Sequence, residues 1–217
     1  MIELKYKSWN DININTFNKL KDIRIKSNDS IEVLDSNITL LSILCDVDED
    51  TIASLTTSEF STLLSQTTFL STLPKVKIQD TYIINGNKYE VFLTLKDMSV
   101  AQYIDFQTFY KDQDKYYKEL LACFLIPKGK KYGEGYDIQK VIDDIGNHLS
   151  IVDGNSILFF FVLLYQSLTK AMLTYSIRQM KKARKKMNKE EQEKMDLAIA
   201  ETKRAMTLVE NGYGYTL

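Results

Sequence analysis

The sequence predicts an α+β fold that is mostly α-helical: a small N-terminal sheet carrying an Asn85-Gly86 hairpin packed on helices, then a C-terminal helical bundle. Three observations predict it. The 217 residues include only 2 Pro and 8 Gly, so long uninterrupted helices form at little cost. Apolar residues recur at helical spacing over most of the chain. One stretch, 75–95, switches to period two around Asn85-Gly86, a dipeptide whose tolerance of positive φ suits a type I′ turn.

The elements follow in order. Residues 1–7 alternate polar and apolar side chains and are expected to form a strand that joins the hairpin as a third member. Ser8, Asn10 and Asp11 offer N-caps for a helix over 13–24, with Ile14, Phe17, Leu20 and Ile23 on one face. A second helix fits 30–45, burying Ile31, Leu34, Ile38, Leu41 and Leu44. Two capping-box patterns come next, Asp46-x-x-Glu49 and Thr56-x-x-Glu59, opening short helices with Ile52 and Leu55, then Phe60, Leu63, Leu64 and Phe69. Pro74 closes that run. After the hairpin, Asp97 or Ser99 caps a helix carrying Val100, Tyr103, Ile104, Phe106 and Phe109, and another helix spans 112–126. Gly129, Gly133 and Gly135 mark 128–135 as a loop. A helix over 137–149 precedes a long one near 154–186, capped by Asp153. Its first half is apolar all round and therefore expected to be fully buried. Its second half keeps one stripe, Leu164, Leu168, Met172 and Tyr175. A last helix over 189–210 stops at Asn211-Gly212. These elements divide into an α+β unit, 1–96, and a helical region, 97–217.

Composition bounds the function classes. With 28 basic and 29 acidic residues the net charge is −1, which argues against a protein that coats nucleic acid. Cys45 and Cys123 are far apart, as expected of buried thiols in a reducing compartment rather than a bridge. No secretory leader is apparent. The apolar run 157–165 is about half a bilayer span, so it reads as a core helix and no membrane partner is expected.

Candidate chemical constellations fail on spacing. Asp46-x-Asp48-x-Asp50 begins like a calcium loop, but Thr51 and Thr57 stand where Gly and Glu are required. His148 is the single histidine and sits at a helix end, where a positive group is ordinary. The glycines of 129–135 lack the Lys-Ser/Thr that completes a phosphate loop. Asp112/Asp114 and Asp143/Asp144 carry no spacing argument. No catalytic, cofactor or metal residues are therefore expected, and the chain reads as a non-enzyme.

Three features suit partners. Arg178, Lys181, Lys182, Arg184, Lys185, Lys186 and Lys189 form a dense basic block, followed at once by Glu190, Glu191, Glu193 and Asp196. A helix that turns and runs back would let the blocks neutralise each other. The alternatives are a protein partner or a nucleic-acid-binding module over 178–189, although no aromatics interleave for base stacking. Tyr213 and Tyr215 suit a docking peptide or a strand added to a neighbour, against a frayed end. Tyr132 and Tyr136 sit among lysines in a loop that reads as a surface connection able to touch a partner.

Five segments carry a family likeness: Tyr6-Lys-Ser-Trp9-Asn-Asp-Ile12, Ile43-Leu-Cys-Asp46-Val-Asp48-Glu49-Asp50-Thr-Ile52, Val100-Ala-Gln-Tyr103-Ile104-Asp105-Phe106, Leu120-Leu-Ala-Cys-Phe-Leu-Ile-Pro127 and Phe159-Phe160-Phe161. Together they resemble small morphogenesis proteins of tailed bacteriophages, especially crAss-like and related phages of Bacteroidetes-group hosts. The resemblance implies a tail assembly chaperone or a minor virion component. It would work without cofactors, in the host cytoplasm during assembly or in the virion. Its partners would be tail, neck or portal-proximal structural proteins, or further copies of itself. The likeness ends at Phe161, before the basic block.

Overall fold

The computed structural model describes residues 2–23, 30–75, 77–92 and 98–210. The described residues are mostly helical with one small antiparallel sheet among them, the mostly helical α+β class that the sequence predicts. It resolves into two compact units, 1–158 and 159–217.

In the first unit, residues 2–7 are not a strand. They run along the end of α2 (Ser30–Cys45), where the Lys5 and Tyr6 amides both donate to the Leu44 carbonyl at 2.9 and 3.2 Å. The last carbonyls of a helix lack partners within it, so this segment spends its donors there while burying Leu4. α1 (Ile14–Lys21) is capped by Asn13, whose side chain accepts from the Thr16 amide, rather than by Ser8, Asn10 or Asp11. α2 ends with Asp46 at φ 57°. The Asp46 amide bonds to the Ile43 carbonyl and the Val47 amide to that of Ser42, the paired closure usually made around a glycine. Asp46 therefore stops one helix instead of starting the next. Asp48 caps α3 (Glu49–Ala53), and Glu49 reaches Thr39. The second expected box forms: Thr56 and Glu59 bond reciprocally at the start of α4 (Thr57–Ser65). A 3₁₀ turn over Gln66–Ser71 follows, and Trp9 Nε1 donates to the Phe69 and Thr72 carbonyls at 2.9 and 2.7 Å.

The hairpin pairs β1 (Thr81–Ile84) with β2 (Asn87–Val91) in the register Ile84↔Asn87 and Tyr82↔Tyr89. Asn85 and Gly86 sit at φ 48° and 73°, both positive as the turn requires. The third strand comes from elsewhere. α5 (Val100–Tyr110) and α6 (Tyr117–Ala122) precede β3 (Leu125–Pro127), which pairs with β2 in the order β1-β2-β3. The expected helix over 112–126 thus shrinks to six residues. Every residue from Leu120 to Ile126 is buried. A surface helix would leave one side of that run wet, whereas a turn of helix followed by an inner strand covers it all. Since β3 completes a sheet begun before residue 96, the units divide at 158/159 rather than at 96/97.

α7 (Ile138–His148), capped by Asp137, buries Val141, Ile142 and Ile145 and packs on the sheet, whose inner face is Tyr82, Ile84, Tyr89 and Val91. α8 (Ile151–Arg184) begins earlier than the sequence suggests. Ser150 Oγ accepts from the Asp153 amide at 3.0 Å and donates to its carboxylate at 2.8 Å, so Ser150 is the cap. Gly154 faces Tyr117: a Cβ there would lie 2.9 Å from the Tyr117 hydroxyl and 3.3 Å from both Ile14 and Leu121.

The second unit holds the remainder of α8 and α9 (Lys189–Glu210). The expected full burial of the first half of the long helix does not occur. Only 18% of its most apolar 18-residue window is buried, and Phe159 and Leu163 are 52% and 47% exposed. A helix apolar all round needs cover from several sides, and among the described residues of this unit one other helix is present. Asn211, Gly212, Tyr213 and Tyr215 lie outside the described residues.

Candidate interaction surface

The α8–α9 connection folds back on itself. Arg184 Nε and Nη2 donate to the two carboxylate oxygens of Asp196 at 2.6 and 2.7 Å, a bidentate fork. That bond holds the Asp196 carboxyl below its ordinary range and raises the Arg184 guanidinium. Asn188 and Glu191 exchange backbone and side-chain hydrogen bonds, both at 3.0 Å, and so open α9. Lys194 pairs with Glu190 one turn back. The neutralising fold-back expected from the charge pattern is therefore present at Arg184. Lys181 and Lys182 stand exposed on the last turns of α8, and Lys185 and Lys186 stand exposed in the connection.

Along these two helices the shielded sides are marked by Ile177 and Ile199. Tyr175 and Leu197 are 64% and 68% exposed, and Met172 is also exposed. Met172 and Tyr175, with Phe159 and Leu163, leave α8 a long helix with little cover. By length and composition it is also able to cross a membrane. A second uncovered apolar stripe lies on α5. Phe106 and Gln102 turn inward, with Gln102 Nε2 on the Cys123 carbonyl at 2.6 Å. Val100, Tyr103 and Ile104 face solvent. The sequence carried the signal, because Val100, Tyr103 and Ile104 occupy a different side of the helix from Phe106 and Phe109. A helix packed in one layer buries one such side.

The other candidates fall to structural roles. Tyr132 donates to Asp105 Oδ2 at 2.9 Å and lies 3.8 Å from Cys123 Sγ, while the Tyr136 hydroxyl accepts from the Gly133 amide at 3.2 Å. Both phenols are pushed up by burial. They latch the loop to its own unit, half-buried, and are not free to reach outward. His148 is an exposed last residue of α7. Asp46 pairs with Lys5 at 2.6 Å, and Asp48 caps α3. Among the described residues no group of three or more His, Cys, Asp or Glu side chains is placed to hold a metal. Cys45 and Cys123 are buried and unbridged. The buried carboxylate of Asp144 accepts from Asn85 Nδ2 at 2.8 Å, with the Tyr89 hydroxyl at 3.5 Å, and so pins the hairpin turn to α7.

The chain thus offers uncovered apolar helix sides bordered by charge, together with polar clusters whose bonds close on themselves. Against known protein families, curated proteins and solved structures it shows no match.

Proposed function

We propose that this chain is a non-enzymatic assembly protein of a tailed bacteriophage, acting in tail or neck morphogenesis by gripping other structural proteins. It works as a tail assembly chaperone or as a stoichiometric virion part. One observation carries the reading: α8 leaves Phe159, Leu163, Met172 and Tyr175 exposed along a single helix. Large apolar side chains paired about one turn apart, Phe159 with Leu163 and Met172 with Tyr175, mark contact surfaces, and aromatic anchors supply most of the energy at such contacts. The five segments that resemble phage morphogenesis proteins supply the biological setting. The test is a photo-crosslinker at Leu163 or at Tyr103 in the full chain, expressed during infection by the encoding phage. Capture of tail or neck proteins is the expected result, and mass spectrometry of purified particles separates chaperone from virion part. Capture of host proteins alone at both positions overturns the proposal.

A second reading is favoured by the length and apolar character of α8: insertion into a bilayer. Co-sedimentation of the full chain with neutral phosphatidylcholine vesicles, unaffected by salt, would replace the assembly reading.

A further inference from the structure

We infer that the outward sides of α8 and α9 are the two halves of one self-complementary contact, by which copies of this chain line up with α8 of one copy against α9 of the next. The inference rests on the reading of this unit as a gripping surface and names its occupant, a second copy of the chain.

The faces follow from helical geometry. Two residues along an α-helix turn the side chain by about 200°. Tyr175 therefore lies opposite Ile177, and Leu197 opposite Ile199. Ile177 and Ile199 are the shielded pair, and Tyr175 and Leu197 are the exposed pair. Continuing each outward side at steps of three, four or seven gives Met172, Tyr175, Arg178, Lys182 and then Lys186 in the connection, and Glu190, Glu193, Lys194, Leu197, Glu201 and Arg204 on α9. One strip is apolar then basic. The other opens with Glu190 and Glu193 at the connection, where Lys194 is bonded to Glu190, passes through Leu197 and ends in the mixed pair Glu201 and Arg204.

Charge selects the occupant. The unit's residues 159–217 carry 11 basic and 6 acidic side chains, with the acids concentrated on α9. An anionic lipid surface or a polyanion would match the α8 strip but be repelled by Glu190 and Glu193 at the start of the α9 strip. A second copy matches both. Within one chain the fold-back already brings the basic end of α8 beside the acidic start of α9 through Arg184 and Asp196. A neighbour with its connection at the same end repeats that antiparallel relation. Lys182 and Lys186 then face Glu190 and Glu193, and Met172 and Tyr175 face Leu197. Because the two strips lie on opposite sides of the helix pair, one contact leaves a free strip at each end. The association is head-to-tail and grows into a ring or a filament instead of stopping at a two-fold dimer.

The test uses the full chain and its mass in solution by sedimentation velocity and light scattering, over a concentration series at low and high salt. The expected result is a mass well above the 25.1 kDa chain, rising with concentration and falling as salt screens the pairs. Lys182→Glu with Lys186→Glu, and separately Glu190→Lys with Glu193→Lys, each reduce the mass to that of one chain. An equimolar mixture of the two variants restores assembly, because each supplies the strip the other lacks. Circular dichroism confirms helicity. If a double variant loses it, the single changes Lys182→Glu and Glu193→Lys take its place in the same mixing experiment. A parent chain that stays at 25.1 kDa throughout, a dimer that does not grow, reversal variants that assemble like the parent, or association only on phosphatidylcholine vesicles would overturn the inference. Capture of other phage proteins at Leu163 or Tyr103 is read separately, so either proposal can fail alone.

Discussion

Replacing Gly154 by alanine sets two effects of opposite sign against each other. Alanine in a helix interior gains about 1 kcal/mol over glycine. Here the new methyl would sit 2.9 Å from the Tyr117 hydroxyl and 3.3 Å from Ile14 Cδ1 and Leu121 Cδ1. Ile14 and Leu121 are fully buried, and the Tyr117 hydroxyl is held by its 2.7 Å bond to Asn155 Oδ1. None of the three is a loose end that can swing away. Overpacking of this kind costs about 1–3 kcal/mol, and a strained Tyr117–Asn155 bond adds about 1 kcal/mol. The net expectation is a loss of about 1–3 kcal/mol, or roughly 2–12 °C in Tm for a unit of this size. Gly146→Ala in α7 is the control. Its methyl would meet Lys118 Cδ at 2.8 Å, on a long side chain that can swing away, and the Asn15 amide at 2.9 Å, whose 2.8 Å bond to Asn147 Oδ1 would have to shift. That variant should stay within about 1 kcal/mol of the parent, since the helix gain of about 1 kcal/mol offsets the loss of about 1 kcal/mol from one exposed hydrogen bond. Thermal and urea unfolding of the two variants decide the matter. A Gly154→Ala protein melting at or above the parent, or equal losses at both sites, would refute the packing argument.

Other expectations follow from the hairpin turn, a buried thiol and the α8–α9 fork. Asn85→Ala should cost about 2–4 kcal/mol by urea denaturation. It puts a Cβ-bearing residue without local hydrogen bonding at positive φ and removes the 2.8 Å donor from buried Asp144. A loss under about 0.5 kcal/mol would remove Asp144 as the anchor of the turn. Burial pushes the Cys123 thiol up to about 12. Iodoacetamide at pH 8 should therefore leave Cys123 unlabelled in the native chain and label it in urea, as followed by peptide mass spectrometry. Equal labelling in both states would contradict its burial. Asp196 is held below its ordinary value of 3.8 by Arg184. A depressed carboxylate lends stability above its ordinary range and loses it as pH falls through the lowered value. The helicity of the parent should thus drop below pH 3.8 by more than that of Arg184→Gln. Coincident far-UV dichroism titrations would contradict the fork.

What the sequence reveals depends on whether local chemistry has one solution. Thr56 and Glu59 can satisfy each other only at a helix start, and Asn85-Gly86 suits few turns, so both were legible. The long helix pair near 154–210 was legible too, because charge and periodicity agree over many residues. Asp46 and Asp48 both stand at plausible cap positions. Only the closure of α2 around Asp46, made by the Ser42 and Ile43 carbonyls, assigns the cap to Asp48. The run from Leu120 to Ile126 is equally greasy as helix or inner strand, and its pairing with β2 is a long-range fact. Residues 2–7 have strand-like alternation, but backbone donors seek any free carbonyl, and Leu44 offered one. The exposure of α8 was hidden for a related reason: an apolar helix states a demand for cover, whereas the number of neighbours able to supply it is a property of the assembled fold. The first half of the long helix, expected to be fully buried, accordingly stands exposed at Phe159 and Leu163.

The third strand has a bearing on how this polypeptide matures as it is made. When residue 96 has left the ribosome, the Asn85-Gly86 ribbon has emerged but the strand that completes its sheet has not. The edge of β2 stays bare until residues 125–127 arrive, and the inner surface of the ribbon waits longer still for α7. Synthesis therefore passes through an interval in which an incomplete ribbon could pair with any stray strand. Fragments stopping near residue 96 should inherit that stickiness permanently, which makes 158, and not 96, the natural place to truncate.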